Sequence, residues 1–272
     1  MNCKIALMYD FDETLCTKNM QEYSLLDNLG ISADDFWGSV VKMAKEENMD
    51  PTLTYMYLLV KQAEKQGILL KRESFQALGK EIEYYPGVKS WFKRINEYGA
   101  SLGAEIQHYI ISSGTKEILE GCSIYNEFTK VYASEFHYDH NGNADWPSVS
   151  INYTGKTQFL YRINKNALDI YDSSRVNEYV AKDKRDIPFT NMLYFGDGMT
   201  DVPCMKLVKS NGGYAIGVYT DEKPSKIRKL VAEDRVNLAL PADYNEGSLM
   251  ETTIKKVINK IVLDNSLKQQ KL

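Results

Sequence analysis

The chain predicts an α/β protein with a largely parallel sheet covered on both faces. Three observations carry that expectation. Short apolar runs of strand length recur at residues 4–9, 106–111, 131–133, 192–195 and 214–218, with helical-period segments between them. The runs are apolar without alternation, as strands buried on both sides are. Carboxylates stand directly after two of them, Asp10 and Asp12 after the first and Asp197 after the fourth. The carboxyl ends of parallel strands are where open α/β sheets keep their ligands.

Composition bounds the classes open to such a fold. The chain has 272 residues, 43% hydrophobic and 26% charged, room for one large domain or a core with a smaller partner. Its 33 basic and 37 acidic residues leave a net charge of −4 and no basic block, so nucleic acid is not an expected partner. No apolar stretch approaches the roughly 18 residues of a membrane span, and the N-terminus lacks a signal-peptide pattern. Cys3, Cys16, Cys122 and Cys204 are scattered, which points to free thiols in a reducing cytoplasm rather than to zinc or a disulfide framework. His108, His137 and His140 show no metal spacing. Nothing in the sequence sets the oligomeric state.

In chain order, Ile5-Ala6-Leu7-Met8-Tyr9 is the first strand. Residues 16–85 then read as all-helical. Leu25, Leu26 and Leu29 precede Gly30, and Phe36, Val40, Val41, Met43 and Ala44 continue at helical spacing. Pro51 opens a third helix before Gly67, and 74–82 forms a fourth. Tyr85-Pro86-Gly87 is the return turn. Val88, Trp91, Phe92, Ile95 and Tyr98 form an amphipathic helix, with Gly99 expected as its C-terminal cap. Residues 106–111 make the next strand, ending at Ser112, and Lys116 begins a helix. A hairpin is expected about Asn141-Gly142-Asn143, its arms 136–139 and 149–153. Lys156–Ile163 is helical, and 172–188 is a charged surface segment. Residues 227–231 and 249–262 are late helices, with the polar tail fraying from Asn265.

The chemistry begins at Asp10 and Asp12. Side chains at i and i+2 of an extended chain project to one side. Two anions so placed need a counter-ion, and a divalent metal supplies it. Asp10 reads as a nucleophile and metal ligand, Asp12 as an acid/base. Asp10-Phe11-Asp12-Glu13-Thr14-Leu15 resembles the first motif of the haloacid-dehalogenase-like (HAD) phosphatase superfamily, and three further matches follow in family order. Ile110-Ile111-Ser112-Ser113-Gly114 resembles the second, closest to the Ser-Gly-Gly of phosphoserine-phosphatase-like members. Lys156 in Thr154-Gly155-Lys156-Thr157 resembles the third, with Lys165 and Lys182 as alternatives. Gly196-Asp197-Gly198-Met199-Thr200-Asp201 resembles the fourth.

The resemblance implies a Rossmann-like core of residues 1–15 and 86–272 with a helical cap at 16–85 that closes over the site. It implies phosphoryl transfer through an aspartyl phosphate on Asp10, with Asp12 protonating the leaving oxygen and then activating water. Ser112, Ser113 and Gly114 would donate to phosphate oxygens, either serine hydroxyl serving, and Lys156 would balance charge. Asp10, Asp197, Asp201 and Asp12, the last through its backbone carbonyl, would hold a hard divalent cation, most simply Mg²⁺. Asp201 would bind the ion directly or hold Lys156, and the motif glycines would turn the backbone sharply beside it.

Singly, each motif has an ordinary reading. Asp10, Asp12, Ser112 and Ser113 are good helix-capping residues, Gly-Asp-Gly is a common turn, and a lone lysine is mostly a solvated charge. Their order along the chain is what points to a site. The expected substrate is a small phosphorylated metabolite. Phosphoserine needs a carboxylate-binding arginine in the cap, and 16–85 holds one arginine, Arg72, near its end. The aromatics Tyr23, Phe36, Trp37, Tyr55 and Tyr57 there tilt the expectation toward a nucleotide or another non-amino-acid ester. A phosphotransferase or mutase, or a non-catalytic relative, are the other readings.

Overall fold

A computed structural model describes residues 3–220 and 224–269. A seven-stranded sheet has the order β4-β3-β2-β1-β5-β6-β7. Its strands are β1 (Cys3–Tyr9), β2 (Ala104–Thr115), β3 (Lys130–Tyr138), β4 (Ala144–Val149), β5 (Met192–Gly196), β6 (Tyr214–Tyr219) and β7 (Leu238–Pro241). Every neighbouring pair is parallel except β3 and β4. The unbroken apolar runs are explained by the two cores. Ile5, Leu7 and Tyr9 enter one, while Ala6 and Met8 enter the other.

The helices are α1 (Leu25–Asn28), α2 (Ala33–Glu46), α3 (Pro51–Gln66), α4 (Arg72–Leu78), α5 (Val88–Ser101), α6 (Lys116–Glu120), α7 (Thr157–Asn164), α8 (Ser173–Asn177), α9 (Val202–Ser210), α10 (Pro224–Ala232) and α11 (Leu249–Gln269). One sheet face is covered by α5 and α11 through Trp91, Phe92, Ile95, Ile254 and Ile258. The opposite face is covered by α7 and α9 through Phe159, Leu160, Ile163, Met205 and Val208. Among the described residues no helix is long and apolar enough to cross a membrane, and the four cysteines are free thiols.

Between β1 and α5 the described backbone is helical apart from turns and isolated bridges. The chain leaves and returns through two paired segments. Cys16 bridges Tyr84, Thr17 N–H donates to Glu83 O at 3.0 Å, and Tyr85 N–H donates to Leu15 O at 3.0 Å. Asp50 opens α3 by accepting from the N–H groups of Thr52 and Leu53, with Pro51 in the first turn, where its missing N–H costs nothing.

Several expectations are corrected. Gly99 does not end α5, which runs to Ser101. It lies where the helix packs closest on the sheet, and a Cβ there would fall 2.7 Å from Ile106 Cδ1. Strand β2 does not stop at Ser112 but continues to Thr115. Its pairing with β3 jumps from Ile111↔Tyr132 to Thr115↔Ser134, so Ser112, Ser113 and Gly114 bulge opposite the single Ala133. The hairpin's second arm is 144–149, not 149–153. Trp146 and Pro147 lie inside it, and a proline is tolerated because β4 is the sheet's edge. Strand β7 has no counterpart in the sequence reading. The polar tail does not fray at Asn265. There α11 continues to Gln269, with Asn265 Nδ2 donating to Asn191 Oδ1 at 3.0 Å and Ile261 O at 2.7 Å; residues 270–272 lie outside the described chain.

Candidate active site

The adjacent central strands β1 and β5 end side by side. Asp10 N–H donates to Phe195 O at 2.9 Å, which extends the ladder past β1 and sets the Asp10 carboxylate beside the loop of Asp197. Phe11 N–H holds Asp10 Oδ1 at 2.8 Å. Lys156, 1% exposed, is delivered from the start of α7. Its Nζ lies 2.9 Å from Asp10 Oδ2 and 2.8 Å from Asp201 Oδ1. Asp201 Oδ1 also accepts from Tyr194 Oη at 2.7 Å, so this carboxylate holds the lysine.

Carboxylate oxygens of Asp10, Asp197 and Asp201 lie within 4.8 Å of one another. Asp10 and Asp201 share the one ammonium of Lys156. Burial pushes the Asp10 carboxyl well above its usual range, and Asp201 pushes it further, against the pull of Lys156. Burial alone would lower Lys156, but Asp10 and Asp201 outweigh it and keep the ammonium charged. A hard divalent cation matches this set of carboxylate donors.

Asp12 stands apart from this cluster. Its Oδ1 accepts from Met20 N–H at 2.9 Å, and burial raises its pKa to about 7, with the Met20 bond opposing. Only its backbone carbonyl, not its side chain, was an expected ligand.

The same cavity, about 490 Å³, is lined by Asp10, Asp12, Lys156 and Asp197 and by Ser113 and Gly114 of the bulge. Ser112 is not among its lining residues. Its hydroxyl accepts from Gly114 N–H at 2.9 Å and so shapes the bulge. Ser113 Oγ is buried without a hydrogen-bond partner, while its carbonyl accepts from Tyr55 Oη at 2.7 Å. Of the alternative lysines, Lys165 donates to the carbonyls of Val176 and Glu178, and Lys182 is exposed; neither is in the cavity wall.

The motif glycines are not turning at positive φ. Gly198 is extended, at φ −138° and ψ −176°. Gly196 is needed for closeness, since a Cβ would fall 2.5 Å from Asp201 Oδ2. Sequence reasoning missed Tyr194 and Met20, because a strand tyrosine that reaches Asp201 past the turn and a backbone N–H that reaches Asp12 leave no residue-type signal. Of the aromatics at 16–85, Trp37 and Tyr55 line the cavity; Tyr57 lines a different groove and Phe36 is core.

The model of the haloacid dehalogenase-like hydrolase family matches residues 7–206. The chain belongs to that family. The match spans all four motif segments. A protein of Borreliella burgdorferi described as uncharacterized is 28% identical over 290 residues, covering 93% of this chain and 96% of its own. Among solved structures, a phosphoserine phosphatase caught as a phospho-aspartyl intermediate analogue superposes with a TM-score of 0.58 at 15% identity, over 94% of this chain and 99% of that one. A probable phosphoserine phosphatase from Vibrio cholerae gives 0.58 at 13% identity, over 99% and 67%. At such identities the two superpositions establish that this HAD hydrolase shares their fold.

Proposed function

We propose that this HAD hydrolase is a Mg²⁺-dependent phosphatase acting on a small phosphomonoester through an aspartyl phosphate on Asp10. The observation that carries the reading is the convergence of Asp10, Asp197 and Asp201, with Lys156 between Asp10 and Asp201, at the ends of β1 and β5. With both Asp10 oxygens anchored, by Phe11 N–H and by Lys156, the carboxylate is held in one orientation for attack. Asp10 would attack phosphorus and expel the alkoxide. Asp12, two residues on in the cavity wall and held by Met20 N–H, would give its proton to the leaving oxygen and then take one from the water that cleaves the acyl phosphate. The Lys156 ammonium would face the growing negative charge, and Ser113 Oγ, which has no other partner, would donate to a phosphate oxygen. Asp10, Asp197 and Asp201, with the Asp12 carbonyl, would hold Mg²⁺, which when bound neutralises and orients the transferring group.

In this reading 1–15 and 86–272 form the core, and 16–85 is a cap that excludes water on closing. Its support is that Trp37 and Val40 of α2 and Tyr55 of α3 line the cavity that holds Asp10. The free thiols suit a cytoplasmic enzyme.

The test is phosphate release from an aryl phosphate with Mg²⁺, with chelator, and with Asp10→Asn. Release should fall at least about a thousandfold in both controls, a loss typical of removing a group that acts as part of a unit. Full turnover in Asp10→Asn would end the aspartyl-phosphate reading. Phosphoryl transfer only to an added alcohol would favour a phosphotransferase.

A further inference from the structure

Resting on the phosphatase reading and on 16–85 as its cap, we infer that Asp50 and Asn152 are a positioning pair. Through them helix α3 holds the turn that carries Lys156, so the phosphate site is complete only while α3 is docked. Asn152 is the hub of that turn. Its carbonyl accepts from Lys156 N–H at 2.9 Å, and its side-chain Oδ1 accepts from Gly155 N–H at 2.9 Å. This needs a glycine at 155, since a Cβ there would fall 2.7 Å from Asn152 Oδ1. The turn leads straight into α7 and fixes the backbone from which the Lys156 side chain reaches Asp10 and Asp201.

The other half of the Asn152 amide faces the helical stretch. Its Nδ2 donates to Asp50 Oδ2 at 2.9 Å, across 102 residues of chain. The second oxygen of Asp50 caps α3, accepting from Thr52 N–H at 2.9 Å and from Leu53 N–H at 3.1 Å. The amide has one orientation here, since turning it over would set N–H against N–H and oxygen against oxygen. A single line of hydrogen bonds thus runs from the first turn of α3 to the backbone of Lys156.

The same helix reaches the other segment placed on the phosphate. Further along α3, Tyr55 Oη donates to Ser113 O at 2.7 Å, in the bulge of β2. One rigid element therefore grips both the Ser113 bulge and the Lys156 turn. Neither Asp50 nor Asn152 lines the cavity. They would touch neither substrate nor metal, and they act through Lys156. Positioning of this kind matters to rate, because a misplacement of about 1 Å can cost roughly a hundredfold.

The experiment measures kcat and KM for an aryl phosphate in wild type, Asp50→Asn, Asn152→Asp and the exchanged double variant Asp50→Asn/Asn152→Asp. Melting curves show that each variant folds, and assays run well below the transitions. Amide hydrogen exchange over 153–157 is read on the same proteins. Asp50→Asn keeps the helix cap, because asparagine caps as well as aspartate, but sets an amide donor against an amide donor. Asn152→Asp sets carboxyl against carboxyl. Each single variant should lose about tenfold or more in kcat, with KM changed less, and exchange at Gly155 and Lys156 should quicken. The double variant remakes the bond with donor and acceptor exchanged, and kcat should return to within about threefold of wild type. A lowered melting temperature with kcat unchanged would make the pair structural only and overturn the inference while the phosphatase reading stands. Unchanged exchange in Asp50→Asn, or no recovery in the double variant, would do the same. Silence of the wild type toward the aryl phosphate would overturn the phosphatase reading and this inference with it.

Discussion

Two charge clusters of this molecule put carboxylates and cations to opposite ends. At the ends of β1 and β5, Asp10 and Asp201 hold one ammonium, and Asp197 brings a third carboxylate within 4.8 Å of theirs. Between α4, α6 and β3, three glutamates meet two cations. Arg72 reaches Glu120 and Glu135, Lys116 reaches Glu135 at 2.8 Å, and the fully buried Glu117 accepts from Phe136 N–H at 2.9 Å and Tyr138 Oη at 3.0 Å. Arg72 also stacks over the Tyr138 ring at 4.8 Å. This second cluster nearly closes on itself and joins the helical stretch to the sheet. The first opens on a cavity, where its carboxylates and ammonium are placed to meet a metal and a phosphate.

Breaking the open cluster should have the largest effect. Lys156→Met leaves Asp10 and Asp201 buried with no counter-ion, and removing one partner of a buried pair costs about 3–5 kcal/mol. Urea denaturation in chelator should show that loss, with Mg²⁺ restoring part of it, and phosphate release should fall at least about a hundredfold. If stability were unchanged, the two aspartates would not be charged together and the cluster has been misjudged. The closed cluster should behave differently. Arg72→Met should cost about 2 kcal/mol, below the buried-pair range because Arg72 is partly exposed and Lys116 remains. The folded fraction should keep kcat within about threefold, a change too small to signal loss of a catalytic contact. A large drop in kcat without a drop in melting temperature would place Arg72 in the chemistry after all.

A third buried network, polar but uncharged, sharpens the comparison. Trp91 Nε1–H donates to Tyr9 Oη, which meets His108 Nδ1 at 3.1 Å, and His108 Nε2 meets Asn96 Oδ1 at 3.0 Å. This pattern fits the neutral Nε2–H tautomer. Burial lowers the His108 pKa from 6.5 to about 3. The unfolded chain therefore binds the extra proton between those values. The stability is whole above pH 6.5 and is lost as pH falls toward 3, by about 2 kcal/mol at pH 5. His108→Gln should show a smaller fall between pH 7 and 5 than wild type in denaturant titrations. Parallel pH curves for the two would mean that His108 is protonated inside the fold.

The residues that could be read in advance are those whose meaning is local. Asp10 and Asp12 follow an apolar run, Gly196-Asp197-Gly198 follows another, and both sit at strand ends because the chain itself places them there. The alternation of strand and helix, the helical character of 16–85 and the caps of α3 are likewise properties of neighbouring residues. Misreadings came where a partner strand or helix decided the outcome. Gly99 looks like a helix end and is a packing contact. The second hairpin arm, expected at 149–153, lies at 144–149, because the edge strand β4 tolerates Pro147 where no donor is needed. The short β7 is stabilised by pairing with β6, which no local pattern announces.

Which lysine meets Asp10, and which serine of Ser112-Ser113 faces the cavity, were matters for the tertiary structure alone. Spacing leaves Lys156, Lys165 and Lys182 equivalent. The fold carries Lys156 between Asp10 and Asp201, residues 146 and 45 positions away along the chain. A two-residue bulge against β3 turns Ser113 into the cavity wall and Ser112 into its brace. The fate of Arg72 was settled in the same way, by glutamates from α6 and β3. A motif specifies backbone and side-chain chemistry over a few residues. The balance of charge in a buried site depends on segments that meet only after the chain has folded.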